Sequence, residues 1–143
     1  MPPNRILIAD DHEANRDLLE AYLTGLDCEI EYASDGEEAL EKVQSFRPDV
    51  ILLDVMMPKL SGFEVCQKIK SDPVTSRIMV LMVTALGEQG DIDRAVEAHT
   101  DDFLSKPVSK IQLVKRVEIM FRLKDVTDEV DRLRRYIEEL QAG

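Results

Sequence analysis

No stretch of this sequence approaches the eighteen or so consecutive apolar residues of a membrane helix, so no membrane partner is expected. Cysteine is scarce: Cys28 and Cys66 are the two, and they lack metal-ligand spacing. Two reduced structural thiols in a cytoplasmic chain are the plain expectation. Basic residues are also short. The 18 Lys and Arg against 29 Asp and Glu leave a net charge of −11. That speaks against a nucleic-acid surface, which needs a basic patch. No glycine-rich loop follows the first apolar run, where a flavin or nucleotide binder would place one. Internal repeats and low-complexity segments are absent. Met1-Pro2-Pro3-Asn4-Arg5 leads into an apolar run that closes on two aspartates, unlike a secretory signal.

What is present fits one domain of ordinary size, with 44% apolar and 33% charged residues in 143. Ile6-Leu7-Ile8-Ala9, Val50-Ile51-Leu52-Leu53 and Ile78-Met79-Val80-Leu81-Met82-Val83 are short continuous apolar runs. They read as strands covered on both faces of a parallel sheet. Ile30 to Ala33 and Phe103-Leu104 are weaker strands, suited to sheet edges. Helical patterns lie between them. One stripe is Leu18, Leu19, Tyr22 and Leu23, ended by Gly25. A second, Ala39, Leu40 and Val43, opens on the capping-box sequence Ser34-Asp35-Gly36-Glu37. A third is Phe63, Val65, Cys66 and Ile69, after Gly62; a short fourth is Ile92, Ala95 and Val96. The fifth opens at Ser109-Lys110-Ile111-Gln112 and is expected to run without a breaker to about Leu140. Strand and helix alternate five times. An α/β fold follows: a flavodoxin-like, doubly wound five-stranded parallel sheet in the order 2-1-3-4-5, with an extended C-terminal helix.

The expected domain covers residues 4–122, and residues 123–143 form a helical extension. Leu123, Val126, Val130, Leu133, Ile137 and Leu140 alternate in spacings of three and four, which is a heptad seam. Branched residues at two a positions with Leu at two d positions favour a parallel two-stranded coil, with Glu129 at g facing Arg134 at e of the partner helix. A homodimer through a coiled-coil signalling helix is the expectation. The competing reading is an amphipathic helix folded back on its own domain. An open heptad at Leu140-Gln141-Ala142-Gly143 suits a piece of a longer protein.

The chemistry collects at strand ends. Asp10 and Asp11 follow the first strand, and Asp54 follows the third. In a 2-1-3-4-5 sheet these two strands are neighbours whose crossovers leave to opposite faces, so the carboxylates share the crevice of the topological switch point. Clustered carboxylates repel and raise one another's pKa. A hard divalent cation, Mg²⁺, relieves that, and characteristically binds one or two carboxylates together with a phosphate. Thr84 ends the fourth strand and Lys106 the fifth. A hydroxyl and a compact ammonium suit phosphoryl oxygens. A carboxylate nucleophile can attack phosphorus to give an acyl phosphate, and such transfer needs charge neutralisation above all. Taken singly, an aspartate after a strand is commonly a helix cap and a Lys-Pro a turn. Five such residues at the ends of four strands are hard to explain that way.

At these residues the chain resembles the response-regulator receiver family, the CheY-like domains of two-component signalling. The motifs are Ile6-Leu7-Ile8-Ala9-Asp10-Asp11, Asp54-Val55-Met56-Met57-Pro58 with Ser61-Gly62, Thr84-Ala85, and Asp102-Phe103-Leu104-Ser105-Lys106-Pro107. More narrowly, Asp10-Asp11-His12-Glu13-Ala14-Asn15 and Leu53-Asp54-Val55-Met56-Met57-Pro58 are similar to receivers that precede diguanylate cyclase domains, as in PleD-type proteins. The resemblance implies that Asp54 is the phosphoacceptor, fed by a histidine kinase or phosphotransfer protein. It implies Mg²⁺ on Asp11, Asp54 and the Met56 backbone carbonyl, with Asp10 holding a metal-bound water. Thr84, Ala85 and Lys106 would bind the phosphoryl group. Thr84 and Phe103 would be the switch pair, and Lys106-Pro107 would be cis. Such a domain is a regulatory phosphoacceptor and not an enzyme in its own right, and a linked output domain of cyclase type would lie outside this chain. The receiver would switch its surface and the C-terminal helix to control that output or a dimer.

Two departures carry expectations. Receivers usually have Gly-Ala where this chain has His99-Thr100. Glycine there commonly ends the fourth helix in a left-handed turn, which histidine tolerates less well, so that loop is where altered geometry is expected. Met56 cannot orient a water by hydrogen bonding, so slow loss of the phosphoryl group is expected. His12, opening a helix beside the acids, is read as a surface residue. Two other functions stand beside the receiver reading: a constitutive dimerisation scaffold without phosphotransfer, and a small flavodoxin-like binding protein or enzyme.

Overall fold

The computed structural model describes residues 3–85 and 89–142, with the side chains of 89–92 left out. Eleven elements follow in order: β1 (Asn4–Ala9), α1 (Glu13–Tyr22), β2 (Cys28–Ala33), α2 (Gly36–Phe46), β3 (Val50–Leu53), α3 (Gly62–Ser71), β4 (Met79–Thr84), α4 (Gln89–Glu97), β5 (Asp102–Ser105), α5 (Lys110–Leu123) and α6 (Glu129–Ala142). The strands form one sheet in the order β2-β1-β3-β4-β5, every pair parallel. β3 and β4 are buried at every position. β2, on the edge, is fully buried only at Ala33. Side chains alternate between two layers. Ile6, Ile8, Val50, Leu52, Leu81 and Val83 meet Leu19, Leu23, Leu113, Val117 and Met120 of α1 and α5. Leu7, Ile51, Leu53, Val80 and Met82 meet Val43, Phe63, Val65, Ile69 and Ala95 of α2, α3 and α4. Burial pushes the Cys66 thiol up to about 12, so it is an inert core group.

The helices begin where side chains satisfy free N–H groups. For α2 the cap sits one residue later than Ser34-x-x-Glu37 suggested. Asp35 has the extended backbone of an N-cap and its carboxylate accepts from the Glu38 N–H. Glu38 Oε1 in turn accepts from the Ser34 N–H at 2.7 Å. α3 opens with a reciprocal box between Ser61 and Glu64, which the sequence reading passed over. For α5 the Ser109 hydroxyl accepts from the Gln112 N–H. Two stripes are narrower than expected, since Leu18 is 46% and Val96 67% exposed. Ile92, the other apolar position expected in α4, lies outside the described side chains.

The loop after α4 keeps the left-handed turn without glycine. His99 has φ 65°. Its N–H bonds the Val96 carbonyl at 3.0 Å, and the Thr100 N–H bonds the Ala95 carbonyl at 3.2 Å. These two bonds are those of a Schellman motif. The Thr100 hydroxyl then donates to the carbonyls of Val80 and Asp102, tying the turn to β4 and β5. The bonds hold a backbone that histidine adopts at a cost. His99→Gly is therefore expected to raise stability by about 0.5–1 kcal/mol, read from the urea midpoint at unchanged slope. Nearby, Lys70 and Asp101 form a buried pair at 2.7 Å. Lys70 Nζ also donates to the Ser76 and Ile78 carbonyls, and Asp101 accepts from the Val80 N–H. Both ions are thus hydrogen-bonded, as burial requires.

The largest correction concerns the C-terminus. The helix does not run unbroken to Leu140. It stops at Leu123, and α6 starts at Glu129 after a turn. In that turn the Val126 N–H bonds the Leu123 carbonyl at 3.0 Å. Asp128 then caps α6, its carboxylate accepting from the Asp131 N–H at 2.9 Å. Asp125, Thr127 and Asp128 are poor helix formers, and the pairing of Asp128 with the N–H three residues on is a start signal the heptad count hid. α6 folds back beside α5, which is the arrangement weighed as the alternative. Arg132 and Tyr136 are buried at 2% and 3% exposure, whereas the seam residues Val130 and Ile137 stand 77% and 52% exposed. Leu123 is buried in the domain core, with Val126 and Leu140 packed against it. The six seam positions therefore do not form one continuous stripe in this arrangement.

Candidate functional site

The carboxyl end of the sheet carries the chemistry. The parallel ladder continues one residue beyond β1 and β3: the Asp10 N–H bonds the Ala33 carbonyl and the Asp54 N–H the Ala9 carbonyl, each at 3.0 Å. This fixes the Asp10 and Asp54 backbones side by side. On the far side the Lys106 N–H bonds the Thr84 carbonyl at 2.8 Å. The Lys106–Pro107 peptide is cis. Lys106 Nζ reaches back over the sheet to Asp10 Oδ2 at 3.1 Å and Asp54 Oδ2 at 3.2 Å. Asp10, Asp54 and Thr84 are buried at 1%, 6% and 1% exposure. Met56, at the mouth, is 66% exposed, and Ala85 is also exposed. Phe103 is half-buried against the layer formed with α2, α3 and α4.

The two buried carboxylates are held differently. Burial pushes the Asp54 carboxyl up; Lys106 opposes this and Asp10 adds to it. Among the described residues its Oδ1 accepts a long 3.3 Å bond from the Met56 N–H. Burial also works to raise Asp10, but the His12 N–H, Lys106 and Asn15 outweigh it and hold its carboxyl low. For Lys106, burial is outweighed by the hydrogen bond to Asp10 and the charges of Asp54 and Asp10, so its ammonium is held above the usual value. Asp54 is the less satisfied of the two, a useful property in a nucleophile.

Asp11 pairs with His12, whereas Lys106 holds Asp10 and Asp54. Asp10, Asp11 and His12 each offer a ligand atom within 4.8 Å of the others, and His12 Nδ1 lies 3.0 Å from Asp11 Oδ1. Among the described residues this is the group with metal-ligand geometry. Asp54 is outside this group but shares the Lys106 ammonium with Asp10. His12 was read as surface and is indeed exposed, yet it shares the hollow lined by Asp11, Val55, Met56, Met57, Pro58 and Ser61. The donor set fits a hard divalent cation: Asp10 and Asp54 share one ammonium and Asp11 adds a third carboxylate beside Asp10, so negative charge is in excess.

Gly62 is a site residue whose role the sequence did not reveal. A Cβ there would lie 2.2 Å from the Asp54 carbonyl oxygen and 2.8 Å from Val55 Cα. The first residue of α3 thus rests directly on the backbone of Asp54, and its N–H bonds the Val55 carbonyl at 2.9 Å.

Comparison with known proteins places the chain in a family and a fold. The response regulator receiver domain family matches residues 6–118. The response regulator PleD of Caulobacter vibrioides is 48% identical over 126 residues, 88% of this chain and 28% of that protein. The DNA-binding dual master transcriptional regulator RpaA of Synechocystis is 36% identical over 139 residues, 97% of this chain and 56% of that protein. The chain therefore spans 28% to 56% of the length of these two relatives. Among solved structures, the signal receiver domain of a histidine kinase from Syntrophus aciditrophicus superposes with a TM-score of 0.81 at 29% identity, covering 88% of this chain and 96% of that one. The receiver domain of a DNA-binding response regulator from Colwellia psychrerythraea gives 0.79 at 29%, covering 83% and 98%.

Proposed function

Because the chain belongs to the response regulator receiver domain family, we propose that Asp54 accepts a phosphoryl group from a phosphohistidine donor, a histidine kinase or a phosphotransfer protein. The observation that carries this is the Lys106 ammonium bridging Asp10 and Asp54 at 3.1 and 3.2 Å. It holds one oxygen of Asp54 and sits where the incoming phosphoryl oxygens will be. A carboxylate oxygen of Asp54 attacks phosphorus in line, the new O–P bond forms, the P–N bond of the donor breaks, and the imidazole leaves with its electron pair. Lys106 then pairs with the phosphoryl group, where its fixed charge balances the added dianion. Thr84 supplies a hydroxyl at the end of β4, with Ala85 beside it, and Phe103 is the neighbouring ring that repacks when that hydroxyl moves. Asp11, Asp54 and the Met56 carbonyl would hold Mg²⁺, with Asp10 on a metal-bound water, and the ion would neutralise phosphoryl charge when bound.

Receiver domains are regulators, and the output of this one is open: PleD and RpaA are named for different roles. Control of a homodimer, or of a linked output domain of cyclase type, through the C-terminal helix is the reading that the seam of α6 supports. Among the described residues no helix is long and apolar enough to cross a membrane.

The test is intact mass after incubation with acetyl phosphate and Mg²⁺. One phosphoryl adduct is expected, absent in Asp54→Asn and absent with excess chelator. The adduct should decay slowly, because the exposed Met56 cannot orient a water. If Mg²⁺ binds and no adduct forms, the chain is a scaffold and not a phosphoacceptor.

A further inference from the structure

Neither face of α6 is fully satisfied where it lies. The inner face buries the Arg132 guanidinium at 2% exposure. Its Nη1 donates to the Arg77 carbonyl at 3.0 Å, but its Nε has no hydrogen-bond partner, and among the described residues no carboxylate pairs with it. A buried cation without a counter-ion is costly. The contact that offsets it is Tyr136, 3% exposed, whose hydroxyl donates to Asp102 Oδ2. The same oxygen accepts from Arg116 Nε at 2.9 Å. At the rim Arg122 pairs with Glu139 at 2.8 Å, and Lys115 Nζ donates to the Leu140 carbonyl. The outer face leaves Val130 77% and Ile137 52% exposed. These are the branched a-position residues of the heptad register, and the d-position residue Leu133 beside them is only half-buried.

The turn that folds α6 back, residues 124–128, holds neither glycine nor proline. Lys124 is already in the right-handed helical region. Nothing in its covalent structure prevents α5 and α6 from joining into one helix. In the joined form Arg132 and Tyr136 leave the domain for water, and Val130, Leu133, Ile137 and Leu140 form a seam that one chain cannot cover. The occupant that fits is a second copy of the same helix. The a and d residues match a parallel pair, and Glu129 at g of one copy opposes Arg134 at e of the other.

We propose that α6 is a two-position helix. It is docked on α5 and the β5 edge by the Tyr136–Asp102 contact; when that contact is lost, it extends α5 and pairs with α6 of a second copy. Asp102 is well placed to report on the switch, since its other oxygen accepts from the Phe103 N–H at 2.7 Å. The inference rests on the packing of α6 and goes beyond the chemistry at Asp54; a chain that took no phosphoryl group would leave it standing.

The test uses the full chain in two variants, Tyr136→Ala and Tyr136→Phe, the second keeping the ring and removing only the hydroxyl. Amide exchange across residues 129–142 is expected to quicken, by about tenfold or more in the alanine variant, with β3 and β4 unchanged. Sedimentation velocity should show a dimer that grows with concentration in the alanine variant, and adding Ile137→Glu, at an exposed position, should return it to monomer while exchange stays fast. Unchanged exchange in Tyr136→Phe would overturn the latch. Fast exchange in a chain that stays monomeric at every concentration would overturn the second position, leaving only a fraying helix.

Discussion

Gly62→Ala is expected to disable the site and destabilise the chain by about 3 kcal/mol, the upper range for an added methyl in a packed interior. The new Cβ would stand 2.2 Å from the Asp54 carbonyl oxygen. The clash is with backbone, so no rotamer change relieves it. Either α3 lifts off the sheet or the Asp54–Val55 peptide moves, and the second displaces Asp54 from Lys106. A shift near 1 Å at a reacting group costs about a hundredfold in rate. Phosphorylation by acetyl phosphate, followed by intact mass, should slow by that order, and the denaturant midpoint should fall. Gly25→Ala is the matched control: a Cβ there meets nothing within 4 Å, and both readouts should stay at wild-type values. If Gly62→Ala phosphorylates at the normal rate, the close approach of α3 has no part in placing Asp54.

Lys106→Met has the second large effect, and its pH dependence reveals the cause. Removing the ammonium leaves two neighbouring carboxylates buried without their cation. Breaking such a pair from one side costs about 3 kcal/mol near neutral pH. In the wild type the two acids act in opposite directions. Asp10 is held low, so its contribution is present at neutral pH and is lost as pH falls through its depressed pKa. Asp54 is raised; ionising it in the fold costs stability, which returns as pH falls through its raised pKa. In the methionine variant the lowering by Lys106 is lost from both carboxyls, so each moves up from its wild-type position and Asp54 lies further above its unfolded value. The folded state then binds protons before the unfolded chain does. The variant should gain stability as pH falls from 7 toward the ordinary carboxylate value of about 4, and the gap to wild type should narrow. Urea midpoints at several pH values measure this. A gap constant with pH would mean that Lys106 contributes packing and not charge.

Much of this was legible before any coordinates, and the residues show why. Val50 to Leu53 and Met79 to Val83 are apolar at every position, a pattern that only a strand covered on both faces explains economically. Once the strand order is set, a residue just past a strand end has few places to go. Asp10 and Asp54 are locked by ladder bonds to Ala33 and Ala9, so their nearness follows from topology. Lys106 follows β5, two strand ends beyond Asp54, and its long side chain spans the remaining gap. Gly62 and the Lys70–Asp101 pair were different. Each depends on a distance between segments far apart in sequence, and nothing in the local residues states that distance. His12 belongs with them, since its nearness to Asp11 is a matter of side-chain direction.

The C-terminus divides the two kinds of knowledge most clearly. The sequence by itself determined the sheet, its order, the strand-end placement of Asp10, Asp54, Thr84 and Lys106, and the amphipathic character of residues 129–142. Those properties follow from short-range pattern and from the few ways a chain can cross a parallel sheet. Only the tertiary structure decided where α6 goes. The stripe of Val130, Leu133, Ile137 and Leu140 and the stripe of Arg132 and Tyr136 lie on the same stretch of about three turns of helix. A heptad count sees the first and gives no weight to the second. Which face is buried depends on the energy of Tyr136 against Asp102 and of Arg132 against the Arg77 carbonyl. Those partners lie 34 and 55 residues away along the chain, beyond the reach of any periodicity.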